Sequence, residues 1–296
     1  DAGLDTQGDS TYGDFTYRDA SSGTGYAISG YIGTGGAVVI PSQINGTAVT
    51  EISPAAFKAN TTITGVTIPS SVTTVDVSAF YDCINIASIT LSEGLTDIGN
   101  SAFSGTGITS ISLPNSLITL RSGAFSDCPN LTGLNIPKNV TMIDGNPAFA
   151  CSNIAAFTVD SANTAYYASD GVLYQKDPQI VIGCPSGKTG DYTVEAGTTE
   201  VASDAFAWTR LSSVKLPDTV TAIGSFAFRY GKMSSVTLSQ TCETIGYGAF
   251  MNSRIASLDI PDSVTSLGDH LARNCVNLTT VKVGSGEPSP KAVRWS

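Results

Sequence analysis

The chain has 296 residues, 41% of them hydrophobic, so it is long enough to bury a large core. Its formal net charge of −10 disfavours binding to nucleic acid or to an anionic membrane surface, because like charges repel. No apolar run reaches eighteen residues, so neither a transmembrane helix nor direct membrane insertion is predicted.

The first fifty residues differ in composition from the rest of the chain. They are rich in glycine and tyrosine, and apolar and polar residues alternate in the stretch YAISGY. A period of two is typical of a half-buried strand. We therefore predict that residues 1–50 form an N-terminal β cap, a hairpin that covers the first unit of the repeat array that follows, since such arrays need capped ends for solubility.

An Ala-Phe pair recurs at a nearly constant spacing from residue 51 onward, apart from one long interval between Phe149 and Phe206. Ala272 stands where the next phenylalanine is due. A fixed period of this kind is the sequence signature of a stacked repeat array. We expect the phenylalanines to form one buried column. Eight of the eleven phenylalanines belong to it: Phe57, Phe80, Phe103, Phe125, Phe149, Phe206, Phe228 and Phe250.

Each phenylalanine is followed, five or six residues later, by three aliphatic residues with the spacing L-x-x-L-x-L, as in Leu131, Leu134 and Ile136. The last two lie on one face of an extended strand, because side chains alternate along a strand. Proline often comes next and ends the strand, since it cannot donate a ladder hydrogen bond. Nine such triplets occur, and similar runs at 38–40 and 192–194 bring the number of predicted strands to eleven.

A second apolar pair, with its members three residues apart, follows most of these strands, as in Val140 and Ile143. We interpret the Ala-Phe turn that comes next as one turn of α-helix or 3₁₀ helix. Each unit has one apolar edge that it cannot bury alone, and stacking of neighbouring units buries it. The predicted fold is therefore a β-dominated solenoid with short helical or 3₁₀ turns and about eleven coils.

The long interval between Phe149 and Phe206 contains an insertion, residues 160–188, between repeats at 51–159 and 189–283. Its two β-rich runs, GVLY and QIVIG, are separated by QKDP and predict a β-hairpin that projects from the stack. A projecting hairpin is a plausible contact element. Residues 284–296 have no cap pattern and are interpreted as a C-terminal tail or linker.

The period and the spacing together resemble those of leucine-rich repeats, and the recurring form IP…SVT.IG..AF..C..L is similar to the BspA-like (Treponema-type) family. The resemblance covers residues 51–283, and the opening segment is similar to the N-terminal cap of these proteins. It implies a leucine-rich repeat solenoid of the right-handed α/β superhelix class, with one β-hairpin insertion of a kind familiar in the family. Ser92, Asp160 and Ser239 depart from the pattern, because they replace the proline.

Four of the six cysteines, Cys83, Cys128, Cys151 and Cys275, fall in one column near the turn. In leucine-rich repeats, Asn or Cys at such a place often bonds to the backbone of the neighbouring coil. Cys128 and Cys151 are on adjacent coils and would have Cβ vectors pointing the same way, a poor geometry for a disulfide, so we expect free thiols that act as small buried hydrophobes. No C-x-x-C pair occurs, and neither a metal site nor a cofactor is predicted.

The chain has one histidine, His270, in the degenerate last repeat. A Ser-His-Asp triad would have to use it, but its neighbours GDHLARN contain no nucleophile elbow. We predict a solvated turn residue. The sequence also has no phosphate loop, dinucleotide fingerprint or metalloprotease motif, so no catalytic residues are predicted and the protein is not expected to be an enzyme.

One candidate binding surface is the outward face of the predicted strands. Its residues are mostly small and polar and include no aromatic anchors, so this face is either a solvated sheet or a broad, shallow surface for a protein. The fifth position of each triplet represents it: Thr67, Thr90, Ser112, Asn135, Thr158, Lys215, Thr237 and Asp259.

A second candidate surface lies at the turn before the strand. Arg210, Lys232 and Arg254 recur at the same place in three successive repeats, so they should stack as a ladder of like charge in an acidic protein. Trp208 and Tyr230, in the same predicted column as the cysteines, lie beside them. This patch could meet an anionic partner, although exposed cations at turns are commonly just solvated.

Three functions are compatible with these patterns. The preferred one is a non-enzymatic extracellular protein-binding or adhesion module, because repeats build extended surface. The resemblance adds that BspA-like proteins are largely bacterial surface or secreted proteins, some of which adhere to host matrix proteins such as fibronectin and fibrinogen. The partner is thus expected to be a host matrix or bacterial surface protein. The alternatives are a structural spacer that displays another domain, and a carbohydrate-binding surface protein. The chain begins with Asp1 rather than Met, so we expect either a processed protein or a trimmed one, in which a signal peptide would no longer be visible. The resemblance implies an extracellular or cell-surface location with the signal peptide removed.

Overall fold

The computed structural model describes residues 9–284, which contain 26 strands and no helix. Accordingly, no helix in this range could span a membrane. The strands to the end of the first repeat block are β1 (Ser10–Tyr12), β2 (Phe15–Asp19), β3 (Tyr26–Tyr31), β4 (Gly36–Val39), β5 (Gln43–Ile44), β6 (Thr47–Ile52), β7 (Ile63–Ile68), β8 (Thr74–Val75), β9 (Ser88–Leu91), β10 (Asp97–Ile98), β11 (Thr119–Leu120), β12 (Gly133–Ile136), β13 (Met142–Ile143) and β14 (Ala156–Val159). The remaining strands are β15 (Tyr166–Ser169), β16 (Val172–Gln175), β17 (Ile180–Gly183), β18 (Thr189–Thr193), β19 (Glu200–Val201), β20 (Arg210–Lys215), β21 (Ala222–Ile223), β22 (Ser235–Thr237), β23 (Thr244–Ile245), β24 (Ser257–Ile260), β25 (Ser266–Leu267) and β26 (Thr280–Val283).

The repeats stack into a solenoid of about eleven turns, which confirms the predicted fold class. Strands of the L-x-x-L-x-L triplets pair in parallel with their counterparts in neighbouring coils, as β7 does with β4 and β9. The second apolar pairs form another parallel ladder, which runs from the six-residue β6 through the two-residue strands β8, β10 and β11 to β13. Ten of the eleven predicted strands are present, whereas the triplet at 108–113 forms none and interrupts the sheet.

The N-terminal segment is built from antiparallel strands. β1 pairs with β2 and β2 with β3, and β3 then pairs in parallel with β6. The ring of Tyr31, at the end of β3, lies 5.8 Å from that of Phe57. This segment therefore covers the first ring of the phenylalanine column. Residues 1–8 of the predicted cap and residues 285–296 of the predicted tail lie outside the described residues.

The Ala-Phe segments are not helical, so the prediction of helical or 3₁₀ turns was wrong. Each is a series of tight turns. Along it, the backbone N–H groups alternate: one donates to a carbonyl of its own coil, and the next donates to a carbonyl of the following coil. In one such segment, Tyr81 N–H donates to Ser78 O, whereas Phe80 N–H donates to Ala102 O of the following coil at 2.7 Å. These amides are thus satisfied without a helix. The residues two before and two after the column position have a left-handed backbone: Ala55, Ala59, Ser78, Asp82, Ser101, Gly105, Gly123, Asp127, Asp204, Trp208, Phe226, Tyr230, Gly248, Asn252, His270 and Asn274.

The phenylalanine column consists of two ring stacks rather than one. Phe57, Phe80, Phe103 and Phe125 form the first, with centroids 4.6, 5.3 and 5.5 Å apart. The second comprises Phe206, Phe228 and Phe250, at 5.3 and 5.1 Å.

Phe149 does not belong to the column, which corrects the prediction of eight members. In other coils, the amide of the column phenylalanine donates to the carbonyl of the residue just before the column position of the next coil, as Phe103 N–H donates to Ala124 O, which precedes Phe125. Phe125 N–H donates to Pro147 O, which precedes Ala148. The fully buried Ala148 therefore occupies the column. Phe149 is half-buried, one residue later. The extra residue in the step from Phe125 shifts the register.

The insertion is part of the solenoid rather than a projection from it. β15, β16 and β17 form an antiparallel meander, which confirms a hairpin between the two β-rich runs, but β17 also pairs in parallel with β19 of the next coil. Val172, Leu173 and Tyr174 are fully buried. The predicted projecting hairpin was therefore wrong, because the apolar residues of both runs face the core.

The insertion joins two hydrophobic clusters of buried side chains. Leu173 and Ile182 pack in the cluster of the first repeat block, whereas Val172 and Tyr174 pack in that of the second. Alternate side chains of β16 therefore point into different halves of the solenoid, as expected for a strand between two cores.

Candidate functional site

The three cations of the predicted ladder lie on successive coils. Arg210 opens β20, and all three side chains are exposed. Lys232 N–H donates to Thr209 O at 2.9 Å, and Arg254 N–H donates to Gly231 O at 3.1 Å, so the backbones are in register. Like charges at this spacing repel one another.

None of these cations has an anionic partner within residues 9–284. The ion pairs of this part of the chain join Arg121 to Asp144, Lys188 to Asp170 and Arg229 to Asp204. The charge of the ladder is therefore unpaired within the part of the chain that the structure describes, and it is available to an external group.

Trp208 and Tyr230 lie beside the ladder and stack on each other, with ring centroids 4.1 Å apart and planes 20° from parallel. They are 41% and 39% exposed. Together with Arg210, Lys232 and Arg254 they form a surface that we call the basic–aromatic edge.

Both aromatic residues have a left-handed backbone, with φ of 62° for Trp208 and 56° for Tyr230. Bulky residues rarely adopt this conformation, and residues held in it cluster at functional sites. The other coils place small or turn-forming residues at this position: Ala59, Asp82, Gly105, Asp127, Ala150, Asn252 and Asn274. The bulky pair is therefore the exception in its column.

Neighbouring coils hold the two residues in place. Trp208 N–H donates to Arg229 O at 2.9 Å and Tyr230 N–H donates to Met251 O at 3.0 Å. The sequence analysis aligned both aromatics with the turn cysteines. In the structure, each cysteine lies three residues after the column position, whereas Trp208 and Tyr230 lie two residues after it, because these coils have a shorter turn. The buried Thr209 occupies the position of the cysteine.

Arg229 directly precedes Tyr230 in the chain, and the sequence analysis missed the contacts of its side chain. Its guanidinium lies 5.2 Å from the ring centroid of Phe149 and 4.9 Å from that of Phe226, and Nε lies 2.6 Å from Oδ1 of Asp204. Burial raises the pKa of Asp204, and the charge of Arg229 opposes that rise. Because Phe149 is distant in sequence, no local pattern could have revealed this contact.

The outward strand face is polar and shallow. Its predicted residues are exposed, apart from the half-buried Thr67, and Ser112 belongs to no strand. Thr158 Oγ1 donates to Asn135 Oδ1 at 2.9 Å, so some of these polar groups bond to one another. The exposed members of the set are Thr90, Ser112, Asn135, Thr158, Lys215, Thr237 and Asp259.

The turn cysteines bond to backbone of the preceding coil, as predicted. Cys83 Sγ lies 2.9 Å from Phe57 O, Cys151 Sγ 3.0 Å from Phe125 O and Cys275 Sγ 2.9 Å from Phe250 O. All six cysteines are free thiols. Burial raises the pKa of Cys83 to about 11, so its thiol is inert.

His270 is half-buried rather than solvated, which corrects the prediction for this residue. It has φ of 58°, and its ring packs edge-on against Tyr247 at 5.2 Å. In the described residues, no three His, Cys, Asp or Glu side chains are grouped to hold a metal ion.

Comparisons with solved structures show the same fold in bacterial proteins. The pneumococcal vaccine antigen PcpA superposes with a TM-score of 0.68 at 23% identity, over 94% of this chain and 82% of that chain. A leucine-rich repeat protein from Eubacterium ventriosum gives 0.62 at 20% identity, over 95% and 90%. A leucine rich cell surface protein from Faecalibacterium prausnitzii gives 0.57 at 22% identity, over 99% of each chain.

No individual curated protein matches the chain. The family model for the BspA type leucine rich repeat region matches residues 50–169 and 199–288, with six copies. These ranges include both blocks of stacked coils and most of the buried phenylalanines. The chain therefore belongs to the BspA type leucine-rich repeat family.

Proposed function

We propose that this protein is a non-enzymatic recognition module of the bacterial cell surface that binds a protein partner through the basic–aromatic edge. The observation that carries the proposal is the exposed stack of Trp208 on Tyr230, both in the left-handed conformation. That conformation costs about 1–2 kcal/mol per residue. The two residues nevertheless remain 41% and 39% exposed, so the stack is accessible to a partner.

The chemistry of the edge favours a protein with an acidic surface. Tryptophan, tyrosine and arginine are the residues most enriched at the energetic centres of protein interfaces. The three cations have no internal counter-ions in the described range, so a carboxylate-rich partner would supply them. The extended solenoid offers further surface around this centre.

The surface location is supported by the relatives. One structure with this fold is described as a cell surface protein and another as a vaccine antigen. We expect the partner to be a host matrix protein or a protein of the bacterial surface. The same fold would also serve as a spacer, and the aromatic pair would also suit a glycan, so the test includes both alternatives.

The test measures binding of the full chain to immobilised fibronectin, fibrinogen and bacterial surface extract, with a glycan array in parallel. We expect saturable binding to a protein, at least about tenfold weaker after Arg210→Ser, Lys232→Ser and Arg254→Ser are combined. Trp208→Asn with Tyr230→Asn should have a similar effect. Asparagine occupies the same position in the next coil, so these variants keep the backbone geometry.

The matched control removes three cations elsewhere. Arg18, Lys58 and Lys138 are exposed, and their replacement by serine changes the net charge by the same amount. Binding that falls equally in this control would reflect general charge and contradict the proposal. Binding to glycans alone, or to nothing, would favour the carbohydrate-binding or the spacer function instead.

A further inference from the structure

The N-terminal half of the solenoid has a notch that complements the basic–aromatic edge. The coil of Phe103 carries Gly105 and Gly107 where its neighbours carry side chains, and Asp82 and Asp127 stand on the coils to either side. The resulting groove has a volume of about 500 Å³. Its outer wall includes Ile84, which is 57% exposed.

The notch and the basic–aromatic edge lie on the same side of the solenoid. Asp82, Gly105 and Asp127 are two residues after the column position, as are Trp208 and Tyr230. The amides of these five residues bond to the next coil, as Asp82 N–H does to Ser104 O and Trp208 N–H does to Arg229 O. One edge of the molecule therefore carries the notch in its N-terminal half and the basic–aromatic edge in its C-terminal half. We call Trp208 and Tyr230, with the cations beside them, the ridge.

The charges of the two features are opposite. The notch presents the carboxylates of Asp82 and Asp127. Partial burial and the nearby charge of Asp82 raise the pKa of Asp127, and the charge of Arg229 opposes that rise. The ridge presents cations without internal partners in the described range. A cation brought to the notch would relieve the repulsion between its two carboxylates.

We propose that a second copy of this chain docks along this edge in antiparallel orientation, with the Trp208–Tyr230 ridge of each copy in the notch of the other. The ridge and the notch lie on one edge of the same chain. A two-fold axis perpendicular to that edge therefore creates two equivalent contacts, each between the ridge of one copy and the notch of the other. Such an isologous contact closes on itself and gives a dimer rather than a filament. The proposal rests on the proposed function, because it assigns a partner to the same ridge.

The energetic logic is that each contact covers exposed aromatic surface and pairs uncompensated charge. The ridge supplies aromatic area, and its cations supply charge opposite to that of Asp82 and Asp127. The net charge of −10 on each copy opposes association at long range, but salt at physiological strength screens charges more than about 8 Å apart. The contacts themselves are screened less.

The experiment is sedimentation velocity of the full chain over a concentration series at physiological salt. Wild type should shift from monomer to dimer. Charge reversal on the ridge (Arg210→Glu, Lys232→Glu, Arg254→Glu) and in the notch (Asp82→Lys, Asp127→Lys) should each weaken the dimer at least about tenfold. A mixture of the two variants should restore it, because each ridge then meets a complementary notch.

A milder pair of substitutions protects the test against misfolding. Asp82→Asn with Asp127→Asn keeps the size and suits the left-handed backbone, and should also weaken the dimer. A chain that is monomeric at every concentration, or a dimer that survives in both charge-reversed variants, would overturn the inference. If the chain binds a host matrix protein but stays monomeric, the proposed function stands and the dimer is excluded. If the chain forms the dimer but binds no other protein, the dimer stands and binding to a host or bacterial surface protein is excluded.

Discussion

At the scale of single residues, the unusual feature is that two large aromatic residues, Trp208 and Tyr230, occupy a position with a left-handed backbone. The position two residues after the column needs a left-handed backbone in every coil, so small or turn-forming residues are the stable choice there. Trp208 and Tyr230 break that rule side by side. Conformational cost of this kind is characteristic of functional sites.

Replacing both aromatics with asparagine should change the free energy of unfolding by no more than about 2 kcal/mol. Relief of about 2–4 kcal/mol for the two residues together offsets the lost ring contact of about 0.5–1.5 kcal/mol and the lost partial burial of roughly 1–2 kcal/mol per residue. Urea denaturation of Trp208→Asn with Tyr230→Asn measures this. A loss of several kcal/mol would show that the stack is a structural anchor and not a binding feature.

At the scale of elements, the tight-turn segment is what stacks the coils. Its phenylalanine fills the interior and its alternate amides bond to the next coil; in the four turns that carry a cysteine, the thiol also bonds to the coil before. Each segment therefore needs a neighbour on both sides. Where the register slips, at Ala148, a small residue fills the column and Phe149 becomes a platform for Arg229.

The register difference predicts different costs for two identical substitutions. Phe103→Ala should destabilise by about 3–5 kcal/mol, because a fully buried ring leaves a cavity between two stacked neighbours. Phe149→Ala should cost roughly 1–2 kcal/mol, since that ring is half-buried and supports a cation. Chemical denaturation of the two variants provides the comparison, and equal losses would contradict the register described above.

At the scale of the whole molecule, the insertion decides whether the solenoid is one cooperative body. The meander of β15, β16 and β17 adds side chains to both hydrophobic clusters, and β17 pairs with β19 to begin the ladder of the second half. Repeat arrays depend on such nearest-neighbour contacts for their cooperativity. Damage to this joint should uncouple the two halves.

Replacing residues 165–175 with a glycine–serine segment of equal length should therefore destabilise both halves and split the unfolding transition. Hydrogen exchange resolved along the chain would detect this as lost protection on both sides of the insertion. The control replaces only the exposed turn residues Lys176, Asp177 and Pro178, which lie outside the strands. If the first variant behaved like the control, the insertion would be an appendage.

The repeat itself could be predicted from the sequence, because the pattern of apolar residues that a coil must bury lies within a single repeat. The apolar spacing of every unit is recorded within a single repeat, and the recurring Ala-Phe pairs left little choice of fold. The same local period correctly placed Arg210, Lys232 and Arg254 on successive coils. The helical turns were predicted wrongly, because a left-handed backbone at residues such as Ser78 and Asp82 has no clear signal in composition.

The sequence by itself thus determined the solenoid, its two apolar ladders and the ladder of cations, since burial within a repeat is a local matter. Only the tertiary structure decided which residue fills the column at Ala148, where the insertion packs, and how Arg229 reaches Phe149. It also brought the notch around Gly105 to the same edge as Trp208. These features depend on contacts between residues far apart in the chain, which no spacing within one repeat encodes.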